Sequence, residues 1–247
     1  MELLLTKSRR DRPAVNIVQR VLLFCGIVSS LLYVAMNVFV AMLYDGYNSV
    51  SQTVSELSAI DAPTRPLWVL LGIVYTLLVA AFGWGIRNSA VDNRPLRTTG
   101  LLLFAYGIIG LFWPFAPMHQ REVLATGGGT LSDTMHIVFS MVTVFLMLLA
   151  IGFGARTLGK QFRLYSIMTI AMLLVLGAWT GMEGAKLNAN LPTPWLGIVE
   201  RFLIGIFMLW IVVLAIILLR AQRRQYRSTT KMQRKVTDSV LYQSVAP

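Results

Sequence analysis

Long apolar runs separated by short polar ones set the pattern of this chain. Six runs, residues 21–43, 67–86, 98–118, 135–154, 164–182 and 196–219, have about the 20 residues that an α-helix needs to cross a hydrocarbon core. None alternates polar and apolar positions as a barrel strand does, and a helix satisfies its own backbone where no water can. The pattern therefore predicts an all-α, polytopic integral membrane protein with six transmembrane helices within residues 21–220. A basic arm (1–20) precedes them, and a basic tail (221–247) follows that is expected to be disordered.

The connection between the first two runs, residues 44–65, is the longest. Ser49-x-x-Gln52 and Thr53-x-x-Glu56 each fit a capping box, and Val50, Val54 and Leu57 recur at helical spacing. A short amphipathic helix is expected here, lying on the bundle surface or tucked over it. Pro66 is placed for the first turn of the second span, where its missing N–H costs nothing.

Composition agrees with a lipid-solvated chain. Hydrophobic residues make up 56% and charged residues 13%, against roughly 45–50% and about 25% in soluble domains. The single cysteine, Cys25, excludes an intrachain disulfide and any CxxC site. The first apolar run follows Lys7, Arg9, Arg10, Arg12 and Arg20, but it is too long for a secretory h-region and reads as a retained anchor.

Charge then gives orientation. Of 22 Lys and Arg residues, 18 fall in the N-terminal arm, the second-to-third and fourth-to-fifth connections and the tail; only Arg65, Arg121, Lys186 and Arg201 fall on the opposite side. Basic residues near helix ends stay cytoplasmic, so both termini are expected in the cytoplasm and the protein in the plasma membrane. The formal charge of +11 is thereby mostly topogenic. The tail's basic residues are expected to touch anionic headgroups. Nucleic-acid binding is set aside, because the basic run lacks interleaved aromatics and a recognisable motif.

Within the spans, Gly177-x-x-x-Gly181 offers a small-residue packing face, with Gly107, Gly110, Gly152 and Gly154 in similar roles. Trp68, Trp113, Trp179 and Trp195 fall near the predicted outer boundary as belt residues. The two halves share no polar or Pro/Gly breaks, which disfavours an inverted-repeat transporter.

Candidate chemistry gathers at the outer ends. His136 lies about a turn into the fourth span and Glu200 with Arg201 about a turn into the sixth; His119 closes the third and Glu183 the fifth. Ionisable groups at such depth are costly and face protein or a wet cavity, so a shared pocket is expected. His136, His119, Asp133 and Glu200 are the candidate catalytic groups; Arg201, Glu183, Ser55 and Glu56 are candidates for binding substrate. Asp133 also suits an N-cap, accepting from Met135 or His136. Arg201 requires a partner on another helix, for which Glu183, Asp133 and Glu56 are candidates, while Lys186 is an alternative partner for Glu183. By residue type His119, His136, Glu183 and Glu200 could hold zinc, but no HExxH, HxxxH or cysteine ligand supports it, so no metal is assigned. Ser51, Ser55 and Ser132 are nucleophile candidates without a GxSxG elbow.

Residues 51–58 (SQTVSELS), Met118-His119 with Ser132-Asp133-x-x-His136, and Glu200-Arg201 opening the last span together resemble the six-helix prokaryotic membrane family called domain of unknown function 998. The resemblance implies six helices and a polar cluster at the outer face, and it implies no activity or cofactor. Two function classes fit the residues: a lipid-directed or lipid-binding protein with a histidine base and Arg201 on an anionic headgroup, and a non-catalytic sensor or assembly partner whose charges hold helices together. A small-solute or proton-coupled carrier is the third.

Overall fold

The structure is a computed structural model and describes residues 17–90 and 92–245; the first sixteen residues of the basic arm lie outside them. Among the described residues six helices are long and apolar enough to cross a membrane, and the fold is that of an all-α, multi-pass membrane protein. They are α1 (Ile17–Met42), α2 (Arg65–Ser89), α3 (Arg94–Gly110), α5 (Leu131–Gly154), α6 (Gly159–Asn188) and α7 (Leu196–Val245). A five-residue helix, α4 (Arg121–Ala125), and two 3-10 helices, Val54–Ser58 and Trp113–Phe115, lie in the connections. The third span is interrupted early: regular helix stops at Gly110, and Pro114 sits in the 3-10 turn that follows.

Neighbouring spans pack in the order α1, α2, α3, α5, α6, α7, and α7 returns to α1, closing a ring. Its interior is filled by Leu23, Phe82, Leu103, Ile151, Phe207 and Trp210, all fully buried. Outward faces carry Phe24, Leu31, Leu70, Met141, Phe145, Met168 and Val175, the surface a bilayer solvates. In lipid, apolar burial does not drive helices together, so close packing and interhelical hydrogen bonds must do so. Trp210 Nε1 donates to Ser166 Oγ at 3.0 Å, the hydroxyls of Tyr75 and Tyr106 lie 2.9 Å apart, and Ser30 Oγ donates to Met208 O at 3.2 Å.

The close approach is at α2 and α3, and not where the GxxxG spacing suggested. A Cβ on Gly107 would stand 2.6 Å from Ala80 N and 2.6 Å from Thr76 O, and Gly110 faces the Thr76 side chain. Gly154 accommodates the Trp210 ring. Gly177 has only Leu203 near it, while Gly181 and Gly152 have nothing within 4 Å, so these three are not packing glycines.

α7 continues as helix to Val245. From Ile206 to Val245 there is no Gly or Pro, and Gln, Arg, Lys and Met carry good helix propensity.

One end of the ring is closed by residues 43–64, here the cap. Thr53 and Glu56 form the expected capping box at Val54–Ser58, and Leu57 is inserted between Met36 and Val40 of α1 and Leu67, Trp68 and Leu71 of α2. Pro66 stands in the first turn of α2, as its position implied. No Ser49–Gln52 box forms. Asn48 Oδ1 accepts the N–H of Val50 instead, and Gln52 Oε1 accepts the N–H of Asn48, since an Asn side chain readily closes a turn on its own backbone.

Glu56, almost wholly buried, is the cap's electrostatic centre. Arg121, from α4, binds it with two donors, Nε to Oε2 at 2.8 Å and Nη2 to Oε1 at 2.7 Å. Gln52 and the N–H of Thr53 also donate to it. Burial alone would raise the Glu56 carboxyl; Arg121 foremost, with Gln52 and Thr53, outweighs it and holds the carboxyl below its ordinary value.

Two outcomes follow for stability. Gly107→Leu should lose about 1–3 kcal/mol through overpacking at α2/α3, whereas Gly72→Ala, where a Cβ meets nothing within 4 Å, should leave thermal unfolding in detergent unchanged or slightly later. Because the folded carboxyl of Glu56 is depressed, its stabilisation is fully present above the free glutamate value of about 4.3 and is lost as pH falls through the lower folded value. Melting temperature measured against pH should drop below about 4.3 in the natural protein and drop less steeply in Glu56→Gln. Arg121→Ala, which leaves the carboxylate buried and unpaired, should cost on the order of 3 kcal/mol.

Candidate functional site

Ser55 is the second residue of the Val54–Ser58 helix, so the cap's docking fixes its position. His136 sits in the second turn of α5, buried, with Nε2 3.0 Å from Ser55 Oγ and Nδ1 2.9 Å from Ala116 O. A carbonyl can only accept, so Nδ1 carries the proton and Nε2 of the neutral ring accepts the Ser55 O–H. Trp113 meets the imidazole edge-on at 4.8 Å between centroids. The ring is thus fixed on three sides, with its basic nitrogen directed at a serine hydroxyl. Trp113 therefore serves this ring more than the membrane belt.

Asp133 is not the N-cap of α5. That position is Thr130, extended at φ −124°, whose Oγ1 accepts the N–H of Ser132; Asp133 is the N3 residue of the capping box and accepts the N–H of Thr130 at 2.7 Å. Its carboxylate also takes the N–H of His119 at 2.7 Å and the ring Nδ1–H at 2.8 Å. His119 thus lies beside Asp133 in an extended strap, residues 116–120, and not on a helix. Ile60 N–H donates to Met118 O at 2.8 Å and Ser132 Oγ donates to Pro117 O at 2.6 Å. The strap ties cap to α5 and supplies the carbonyl that orients His136.

Glu200 and Arg201 both serve the cap from α7. Glu200 Oε2 accepts the N–H of Val54 at 2.6 Å, the amide next to Ser55. Arg201 does not pair with Glu183, Asp133 or Glu56. Its Nη1 donates to the carbonyls of Ser49, Gln52 and Gly197 at 2.9, 2.9 and 3.0 Å, and its Nη2 donates to Tyr47 Oη at 2.5 Å. Those carbonyls reach α7 because residue 197 is glycine: a Cβ there would stand 2.6 Å from Ser49 O and collide with Gln52 O. Tyr47 in turn donates to Thr53 O at 2.7 Å. Burial pushes its phenol up to about 12, against the pull of the Arg201 cation, so it remains a neutral donor.

Glu183 stands apart. It pairs with Lys186 at 2.5 Å and makes no hydrogen bond to the other candidates, while its Oε2 is buried without a partner among the described residues. The structure thus gathers Ser55, Glu56, His136, Glu200 and Arg201 around the cap, with His119–Asp133 adjoining through the strap. Among the described residues no three His, Cys, Asp or Glu side chains group as a metal-binding set; His119, His136, Glu183 and Glu200 are each engaged with a different partner. Sequence reasoning passed over Arg121, Tyr47, Gly197 and the Ala116 carbonyl. Arg121 alone carried a signal, as one of four basic residues on the poorly charged side.

No curated protein and no solved structure matches the chain. A family model described as Protein of unknown function (DUF998) matches residues 27–217, a stretch that holds all six spans in whole or in part and every residue of the cap and strap. The chain belongs to the DUF998 family.

Proposed function

We propose that this multi-pass membrane protein is a serine-dependent acyl hydrolase or acyltransferase acting on a lipid or lipid-linked ester, at an outward-facing site under the cap. The observation that carries the reading is the 3.0 Å contact of Ser55 Oγ with His136 Nε2, in a ring whose other nitrogen is held by Ala116 O. A nucleophile beside a base that a third group orients is the arrangement covalent catalysis requires. In the reaction, Ser55 Oγ attacks the ester carbonyl carbon as its proton passes to His136 Nε2. The C–O bond to the alcohol breaks, and that proton leaves on the alkoxide oxygen. Water or an acceptor alcohol then takes the acyl group, with His136 again receiving and returning the proton.

The substrate class follows from place. Ser55 is at the end of a ring of lipid-facing helices, the end that in this reading meets the headgroup region, and an excess of basic residues on the opposite face supports an outward direction for the cap. Glu200 holds the backbone next to Ser55, and Asp133 with His119 holds the strap, so both act as positioning groups.

A second reading is favoured by Arg201, whose bonds outside its own helix are all to the cap: the polar groups serve only to bind cap to helices, in a non-catalytic sensor or assembly protein. Labelling with a fluorophosphonate separates the two. Under the catalytic reading the purified protein is labelled at Ser55, Ser55→Ala is not labelled, and His136→Gln slows labelling by about 10²-fold or more while keeping a cooperative melt. A folded protein that resists the probe, or labelling that His136→Gln leaves unchanged, would overturn the catalytic reading and favour the structural one.

A further inference from the structure

A cleft of about 570 Å³ runs between α1 and α7 on the outside of the ring, reaching from the cap toward the middle of the spans. Its walls are mostly apolar, with Val34, Val38 and Met42 on α1 and Ile204 and Met208 on α7. At the cap end it is bounded by Arg201, Tyr47 and Ser49. Three features bear on what fills it.

The first is charge. Arg201 has no carboxylate within ion-pair distance among the described residues. Its protein acceptors are three carbonyls on Nη1 and one hydroxyl on Nη2, with the Tyr47 ring 5.6 Å from the guanidinium carbon, which leaves N–H groups on Nη2 and Nε and a positive charge without an ion-pair partner at the mouth of an apolar groove. A guanidinium at membrane depth is expensive unless an anion or water meets it. The second is Asn37 in the α1 wall, whose Oδ1 is buried without a hydrogen-bond partner. A side-chain amide in an apolar groove wants a polar group that the protein does not provide. The third is Gly205 in the α7 wall, where a Cβ would meet nothing within 4 Å. Helix packing does not require a glycine at this position, and its effect is to widen the groove.

We infer that the cleft between α1 and α7 is a binding site for one anionic phospholipid of the leaflet at the cap end, its phosphate on Arg201 and an acyl chain laid along α1 and α7 past Gly205. A phosphodiester supplies the missing negative charge and accepts charge-assisted bonds from the spare guanidinium N–H groups. The side-chain NH2 of Asn37, on the cleft wall, is the group that can donate to a glycerol-ester carbonyl. The apolar walls match an acyl chain, and the volume falls in the range of small-molecule sites. The inference goes beyond the serine reading and does not depend on it, because Ser55 does not line the cleft.

Native mass spectrometry of the detergent-purified protein, titrated with palmitoyl-oleoyl phosphatidylglycerol or the phosphatidylcholine of the same chains, tests it. The natural protein should hold one phosphatidylglycerol and prefer it to phosphatidylcholine by about tenfold, because both offer the phosphodiester but choline adds a second cation close to Arg201. Gly205→Leu, which fills the groove without a protein clash, should lose the bound lipid while keeping its melting temperature in lipid-free detergent. Arg201→Gln should lose the headgroup preference. Ser55→Ala should retain both the lipid and the preference, so this site and the serine site fail separately. Equal binding of the two lipids by the natural protein, or an undiminished adduct in Gly205→Leu, would overturn the inference.

Discussion

The guanidinium of Arg201 is the contact on which the working end of this protein depends. Backbone outside regular helix that packs over the ends of the spans needs its carbonyls and amides bonded, and residues 49–53 form such a segment. Arg201 collects the carbonyls of Ser49 and Gln52 together with that of Gly197 on its own helix. On the next residue of α7, Glu200 collects the amide of Val54, and Ile198 N–H donates to Val50 O at 3.0 Å. One turn of α7 thus satisfies donors and acceptors of the cap together. Gly197 makes this geometrically possible, because any side chain there would hold the cap away from the helix.

The other side of the cap is secured by charge. Glu56 and Arg121 are paired with two donors to one carboxylate, the geometry in which a desolvated ion pair recovers most of its cost. Arg121 also reaches Ser51 O at 3.0 Å, so the same cation that neutralises Glu56 bonds another cap carbonyl. Fixed at α7 and at α4, the cap has little freedom left where Ser55 meets His136. That is the condition under which a serine and a histidine 3.0 Å apart are a preorganised pair and not a passing contact.

Much of this was legible in the residues, and what was not has physical reasons. Hydropathy gave the six spans because the requirement for helices in lipid admits few alternatives. Thr53-x-x-Glu56 announced its own capping box because capping is local, with both partners three residues apart. Asp133 was placed one step wrong for the same local reason: Thr130 and Asp133 together form the box, and the first of the pair is the cap. Partners distant in sequence were not legible. Nothing along the chain says that Arg201 would bond carbonyls in preference to carboxylates, or that Arg121 would reach Glu56 across 65 positions. The glycine spacing misled in a related way. Gly177 and Gly181 share a helix face, but whether a face is used depends on which neighbour the ring presents to it, and it is Gly83 on α2 with Gly100 and Gly107 on α3 that meet the backbone of the facing span.

Glu200 and Arg201 also show how one helix can bond two sides of the cap. Adjacent residues on an α-helix point about 100° apart, so they cannot both face the same neighbour. Glu200 turns toward Val54 and the Ser55 side of the cap, while Arg201 turns toward Tyr47 and the groove against α1. A displacement of the α7 end along either direction would be felt by both, since the segment from Ser49 to Val54 is bonded to both side chains. Whatever occupies the groove beside Arg201 therefore bears on the same backbone that sets the position of Ser55, with no contact to Ser55 itself. Six residues of cap, held at each end by a neighbouring residue of α7, make the coupling short enough to need no longer path through the helices.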